Sequence, residues 1–350
     1  MNNRLNFGIV GAGRIAQAYA EAFEESCFAQ VAAVSDVDID KASALAERLQ
    51  CPAYDSYAAM AEGVRLEAAI VCTPPVTHRD ICIALLKRGV HVLCEKPLCL
   101  DSESARMMVE AARTRGVMLT MASKFRYVED VIRARSIVRS GMIGEVVLIE
   151  NAFTSRVDMR SRWNSDPQVS GGGVLIDNGT HSVDLIRYFL GPLAEVYVEE
   201  SIRSQGLSVE ETVRLCARNH DRVPASIDLS WSIDKELSSF LNVYGTQGTV
   251  SVGWKESKYR LASSRDWVVF GGGYDKVQAF RSQINSFAQA ITCVKELIPT
   301  PEDALASVAV IEAAYSSLKQ GRWVRVEPLR AVDVSREFHE ATLTEAQTVA

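Results

Sequence analysis

The chain has 350 residues, 47% of them hydrophobic and 23% charged, with a formal charge of -6 at pH 7. That length predicts two domains with sizeable cores, and the negative balance excludes general affinity for nucleic acid or an anionic membrane surface. No apolar run approaches the roughly 18 residues a spanning helix needs, so no membrane segment is expected.

In chain order, the first third alternates short apolar runs with helical patterns: "FGIV" before "RIAQAYAEAFEES", "VAAVSD" before "DIDKASALAERLQ", "EAAIVCTP" before "THRDICIALLKRG", and "HVLCEKP" before "SESARMMVEAARTRG". Each strand is a continuous run rather than an alternation, as strands covered on both faces require. Gly89 and Gly116 follow basic last turns and fit helix C-termini. The pattern predicts a doubly wound parallel sheet over residues 1–124, closing with "VMLTMAS". A helix near Glu129 to Ser140 and the turn "SGMIGEV" then lead into different grammar. From Val146 the order is a strand, a long loop over 155–173, a helix, and several consecutive strands. "VPASIDLSWSI" alternates cleanly, with Ala225, Ile227, Leu229, Trp231 and Ile233 on one face and Ser226, Asp228, Ser230 and Ser232 on the other. This predicts a large, mostly antiparallel sheet covered by helices on one face, forming an α+β domain over 125–327. Helices near 277–297 and at "EDALASVAVIEAAYSSLKQG", a last strand "WVRVE" and a polar tail over 328–350 complete the chain. "FGGGYD" at 270–275 reads as a hairpin or as the loop before a helix, with no role assigned.

Cysteines at 27, 51, 72, 82, 94, 99, 216 and 293 form no CxxC pair and no metal-like spacing, so no metal site is expected. "MNNRLNFGIV" runs straight into a strand without the basic and apolar regions of a secretory signal, and a reduced, cytoplasmic protein is the expectation.

Gly11, Gly13 and Ala16 form G-x-G-x-x-A between the first strand and helix. The first glycine permits a tight turn, the second lets a pyrophosphate approach backbone, and the small third residue lets helix pack on strand. Arg14 and Ile15 open that helix, whose free N-H groups attract phosphate. Asp36 ends the second strand, 20 residues after Ala16, where an acid bonds both ribose hydroxyls and repels a 2'-phosphate. Val37 and Asp38 supply no compensating cation, so NAD is expected over NADP. The competing reading of Asp36 is a cap for the next helix. "CTPPVTH" lies on the carboxyl edge of the sheet, where ligands of open α/β sheets bind. Thr73 and Pro74 are expected to wall the nicotinamide ribose with Pro75 a further cofactor contact, Thr77 to cap the next helix, and His78 either to reach the cofactor or to stand as a helix-capping or solvated histidine.

"CEKP", residues 94–97, ends the next strand on the same edge, with Glu95 and Lys96 beside the expected cofactor. A lysine fixed there can donate to a substrate oxygen. "GGGVLIDNGTH", residues 171–181, sets three glycines before a helix carrying Asp177 and His181 four residues apart. This spacing places both on one face, and histidine titrates near neutrality as a proton-transfer group must. The glycines suggest a loop that enters the cleft and starts a helix close against cofactor and substrate.

Together these motifs resemble the glucose-fructose oxidoreductase / inositol dehydrogenase / MocA family of NAD(P)-dependent sugar and cyclitol oxidoreductases, over about residues 5–327. The resemblance implies hydride transfer between a ring secondary alcohol and NAD, with Lys96 on the reacting oxygen, His181 as general acid/base and Asp177 as its electrostatic partner or a substrate contact. Asn178 departs from the apolar residue many relatives carry after that Asp, and it is counted with the substrate contacts. Relatives often carry an arginine at the place of Arg126, and Lys124 stands beside it at the expected domain junction. The loop "TSRVDMRSRWNSDP" offers Arg156, Arg160, Arg162 and Trp163, either as a solvated surface or as a site for a phosphate or carboxylate on the substrate. The small, polar sheet face predicts a homodimer or homotetramer, as relatives associate there. Two other readings remain: a glycosidase that oxidises its sugar transiently with held NAD, and a non-catalytic NAD(H)-sensing regulator.

Overall fold

The computed structural model describes residues 4–327; the expected tail over 328–350 lies outside them. The first six strands are β1 (Leu5–Val10), β2 (Ala29–Ser35), β3 (Ala53–Tyr54), β4 (Ala68–Val71), β5 (His91–Cys94) and β6 (Leu119–Met121). They form one parallel sheet in the order β3-β2-β1-β4-β5-β6. Helices α1 (Arg14–Glu24), α2 (Ile39–Leu49), α3 (Tyr57–Gly63), α4 (His78–Lys87) and α5 (Ser102–Arg115) connect them. The apolar runs earn their continuity, since every residue of Ala68–Val71 is fully buried. Asp38 and Asp101 cap α2 and α5 by accepting from Lys41 N and Ser104 N, and Gly116 ends α5 at φ 65°. The chain reverses direction across the sheet between β1 and β4, so the carboxyl ends of these neighbours open a crevice there.

After α6 (Glu129–Arg139) come β7 (Val146–Thr154), the one-turn α7 (Pro167–Ser170) and α8 (Val174–Leu190). Seven strands follow: β8 (Leu193–Glu200), β9 (Thr212–Asn219), β10 (Pro224–Ser230), β11 (Ser239–Gly245), β12 (Gly248–Gly253), β13 (Ser257–Leu261) and β14 (Val268–Gly271). Helices α9 (Lys276–Ile291) and α10 (Pro301–Gln320) precede β15 (Val324–Arg325). The second sheet runs β14-β13-β12-β11-β7-β10-β9-β8-β15, antiparallel except for the parallel β7–β10 pair. Val174, Leu175 and Val183 of α8 join Ile149, Leu215, Ile227 and Leu229 of the sheet in one buried cluster.

Two local expectations are corrected. The alternation of β10 holds through Leu229 and Trp231 but not to Ile233, which is 44% exposed. Ser230 is buried there and its hydroxyl accepts from Ser232 N and Ile233 N, turning the chain before another strand residue can form. Helix α9 ends at Ile291 rather than near 297, because Cys293 takes a left-handed φ of 57°. Phe280, Ile284 and Phe287 of α9 lie in the core cluster of the first sheet, against Phe7 and Tyr19. Among the described residues, no helix is long and apolar enough to cross a membrane.

Candidate active site

The turn from β1 to α1 explains its glycines separately. Gly11 has φ +93° and its backbone lies against that of β4's end, where a Cβ would meet the Cys72 carbonyl carbon at 2.9 Å. A Cβ on Gly13 would meet nothing within 4 Å, so this face of the helix N-terminus is open to a phosphate. Ala16 is fully buried between helix and strand. At the end of β2, Asp36 accepts from Ala12 N at 2.7 Å and from Asp38 N at 2.9 Å, which fixes its carboxylate beside the turn. Lys41, the nearby cation, is engaged by Asp38 at 2.8 Å. Open backbone, free helix N-H groups and a fixed acid together fit a dinucleotide.

A cleft of about 490 Å³ runs from this turn across the sheet edge to α8, and Arg14, Ile15, Thr73, Glu95, Lys96 and Asp177 stand in its walls. Glu95 is buried, accepting from the Tyr19 hydroxyl at 2.8 Å and from Lys96 N at 3.1 Å. Lys96 crosses the cleft from the end of β5. Its ammonium donates to the Asp177 carbonyl at 3.0 Å and forms a short ion pair with the Asp177 carboxylate. One turn farther along α8, the partly exposed His181 presents its ring to the edge of Phe125, with centroids 5.1 Å apart. Desolvation, then the charges of Lys96 and Lys124, hold its pKa well below the ordinary histidine value. The imidazole is therefore neutral near pH 7 and able to accept a proton.

Other expected residues are placed differently. His78 does not reach the cleft. It is fully buried, with Nδ1 2.8 Å from the Pro97 carbonyl and Nε2 2.8 Å from the Thr73 carbonyl, tying the two edge turns together. Burial lowers its pKa despite those acceptors. Pro74 is partly exposed, whereas Pro75 is buried in the short 3-10 turn that follows it. Thr77 offers no side-chain cap; its hydroxyl lies 2.7 Å from Thr73 Oγ1 and 2.8 Å from the Pro74 carbonyl. Arg126 is not free for substrate. It is 6% exposed and donates two bonds to Asp184, at 2.9 and 2.7 Å, and one to Asp303 at 3.0 Å. Arg156 is exposed outside the cleft lining, and Arg160 pairs with its neighbour Asp158 at 2.8 Å in solvent. From that loop only Trp163 and Asn164 enter the wall. Asn178 is partly exposed beside Asp177, outside the lining.

The glycines of 171–173 approach protein rather than ligand. A Cβ on Gly172 would lie 1.9 Å from the Tyr315 hydroxyl, and one on Gly173 2.1 Å from the Glu210 carbonyl oxygen. Glu210 then supplies the cap that a glycine lacks. Its Oε1 accepts from Gly173 N at 2.8 Å, from Leu175 N at 3.2 Å and from the Tyr315 hydroxyl at 2.7 Å. Sequence reasoning missed Glu210, Asn164 and Lys276. "FGGGYD" was the available signal for Lys276, because this loop is tied by Gly273 N to Asp130 at 2.7 Å, stacks Tyr274 on Phe125 and delivers Lys276 to the cleft.

The sequence matches two family profiles: "oxidoreductase family, NAD-binding Rossmann fold" over residues 5–123, and "GFO/IDH/MocA C-terminal domain" over 131–251. It is 26% identical to inositol 2-dehydrogenase of Rhizobium meliloti, covering 92% of this chain and 99% of the relative. It is also 26% identical to D-xylose 1-dehydrogenase (NADP(+)) 2 of Haloferax volcanii, over 92% and 99%. Among solved structures, levoglucosan dehydrogenase with NADH and levoglucosan superposes with a TM-score of 0.86 at 19% identity, covering 93% of this chain and 100% of that one. GenD2 from gentamicin A biosynthesis, in complex with NAD, gives 0.82 at 26% identity over 93% and 97%. The fold, the glycine turn and both profiles agree that this chain belongs to the GFO/IDH/MocA family of oxidoreductases with an NAD-binding Rossmann fold.

Proposed function

We propose that the protein is an NAD-dependent dehydrogenase, or ketoreductase in reverse, acting on a ring secondary alcohol of a sugar or cyclitol. The observation that carries this reading is the ion pair from Lys96 on the sheet edge to Asp177 on α8, with neutral His181 one turn away. With its pyrophosphate held at the glycine turn, a bound dinucleotide would supply the nicotinamide as hydride acceptor. His181 takes the hydroxyl proton, and its depressed pKa keeps it in the accepting form at neutral pH. Lys96 donates to the same oxygen as negative charge develops, and Asp177 holds the ammonium on that line. Glu95, itself fixed by Tyr19, shapes the turn from which Lys96 extends. Asp36 favours NAD over NADP by repelling a 2'-phosphate. The relatives named for inositol, xylose and levoglucosan support the alcohol class. Partly exposed Cys216, Ser226 and Asp228 on the outer face of the second sheet are compatible with assembly into a dimer or tetramer through that face.

The test is a screen of neutral, acidic, phosphorylated and nucleotide-linked sugars and cyclitols for NADH formation. A substrate oxidised with NAD, and lost in His181→Ala, supports the reading. Hydrolysis of a glycoside without net NADH, or NAD binding with no turnover on any member, overturns it.

A further inference from the structure

Lys96 and Lys124 face the same cleft in opposite states. Lys96 is ion-paired with Asp177, whose carbonyl and carboxylate take two of its three N-H groups and leave one for a substrate oxygen. Among the described residues Lys124 has no hydrogen-bond or ion-pair partner; its ammonium instead lies over three rings, 5.4 Å from Phe125, 5.5 Å from Phe280 and 5.8 Å from Tyr274. Lys276, at the start of α9, lies 5.9 Å from the same Phe280 ring and enters the same wall. Two lysines thus share one ring, with no carboxylate bonded to the inner one.

Ring faces hold a cation in place without neutralising it. Burial lowers the Lys124 pKa to about 8, with Glu95 opposing that shift and Lys96 and Lys276 adding to it. An anion brought against the ammonium would favour its charged form and complete its donors. The position selects which anion. The dinucleotide phosphates belong at Gly13 and the first turn of α1, where Arg14 stands. Lys124 acts at the other end, on the groups that do the chemistry, because its charge is felt by His181 and the Asp177 charge is felt by it.

Building on the dehydrogenase reading, we propose that Lys124, assisted by Lys276, sets substrate specificity by receiving a carboxylate or phosphate carried by the sugar or cyclitol. The anionic substrate expected from the loop arginines is thereby reassigned to two lysines from different elements. Glu95, Lys96, Asp177, His181, Tyr274 and Lys276 are the titratable groups around it. Among the described residues Lys124 is the cleft-lining lysine that has no hydrogen-bond partner and does not stand exposed in solvent, while the buried Tyr274 hydroxyl beside it also lacks a partner.

The experiment is calorimetry on the NADH complex with D-gluconate, D-glucose 6-phosphate, inorganic phosphate and myo-inositol. At pH 7 at least one anion binds ten-fold or more tightly than myo-inositol, and the margin shrinks by pH 9.5 as the lysine loses its proton. Lys124→Met abolishes the margin and Lys276→Met, on an exposed helix start, reduces it; melting curves verify that both variants fold. A carboxylate arm stronger than both phosphate arms assigns an acid sugar, the reverse a phosphorylated one. If no anion exceeds myo-inositol, or if the margin survives Lys124→Met, the proposal is overturned. Anion binding without NADH formation from any substrate defeats the dehydrogenase reading alone, and NADH formation without an anion margin defeats the lysine site alone.

Discussion

Lys96 Nζ lies 3.0 Å from the main-chain carbonyl of Asp177 and also engages its carboxylate, so one side chain joins the edge of the first sheet to the helix of the second domain. Lys96→Met should lower kcat about 10²- to 10³-fold, the size of a removed oxyanion donor. Asp177→Asn keeps the carbonyl contact and should lose less. Steady-state kinetics check the order, and equal losses would show that the carboxylate acts directly on substrate.

His181→Ala should lower kcat by about 10²- to 10⁴-fold, the usual worth of a placed base. The pH profile carries a sign. The folded pKa lies below 6.5, so the base stays unprotonated through neutral pH and kcat/KM should fall only at more acid pH. An acid limb centred at 6.5 or above contradicts the assignment.

Asp36→Ala removes the charge that opposes a 2'-phosphate while leaving the glycine turn in place. The ratio of kcat/KM for NADP to that for NAD should rise about ten-fold or more, equivalent to roughly 1.4 kcal/mol. A ratio unchanged in the variant would move cofactor choice elsewhere.

Arg126→Met should destabilise strongly without touching the cleft. The variant leaves Asp184, 4% exposed, as an uncompensated buried charge, a loss of about 3 to 5 kcal/mol. Thermal melting reads this directly. Arg126→Lys should recover little, since one ammonium cannot reproduce bonds to both Asp184 oxygens and Asp303.

At most positions Gly→Ala stabilises by about 0.4 to 1 kcal/mol when the backbone permits it. Gly172→Ala should do the opposite, because its Cβ would overlap the Tyr315 hydroxyl. Glu210→Ala leaves two helix N-H groups and that hydroxyl without their acceptor, costing about 1 to 3 kcal/mol. Chemical denaturation measures both, and a stabilised Gly172→Ala would refute the packing.

The first domain was readable because its signals are local: continuous apolar runs, caps at Asp38 and Asp101, and a glycine turn whose spacing is set by the ligand. The neighbourhood of Lys96, Asp177 and His181 was readable for the same reason, each standing inside a short motif, and the Lys96–Asp177 contact is what the fold adds. Arg126 and His78 were misassigned because what decides their role is far away in the chain: Asp184 and Asp303 for one, Pro97 for the other. Lys276 was missed because a nondescript glycine loop delivers it. The glycines before Asp177 do mark a close approach, but to Glu210 and Tyr315 rather than to cofactor and substrate, because those two residues stand far downstream, in the loop before β9 and in α10.

Helix α9 belongs by sequence to the second half of the chain, yet Phe280, Ile284 and Phe287 complete the core beneath β1 and α1. The two halves are consequently not exchangeable modules. A fragment cut after Ala122 would bare the apolar surface around Phe7 and Tyr19, and Tyr19 would lose its Gln283 contact while still having to hold Glu95. Grafting a foreign second domain to alter the alcohol accepted must therefore carry α9's inner face along with it, or the nucleotide end will be remodelled together with the substrate end.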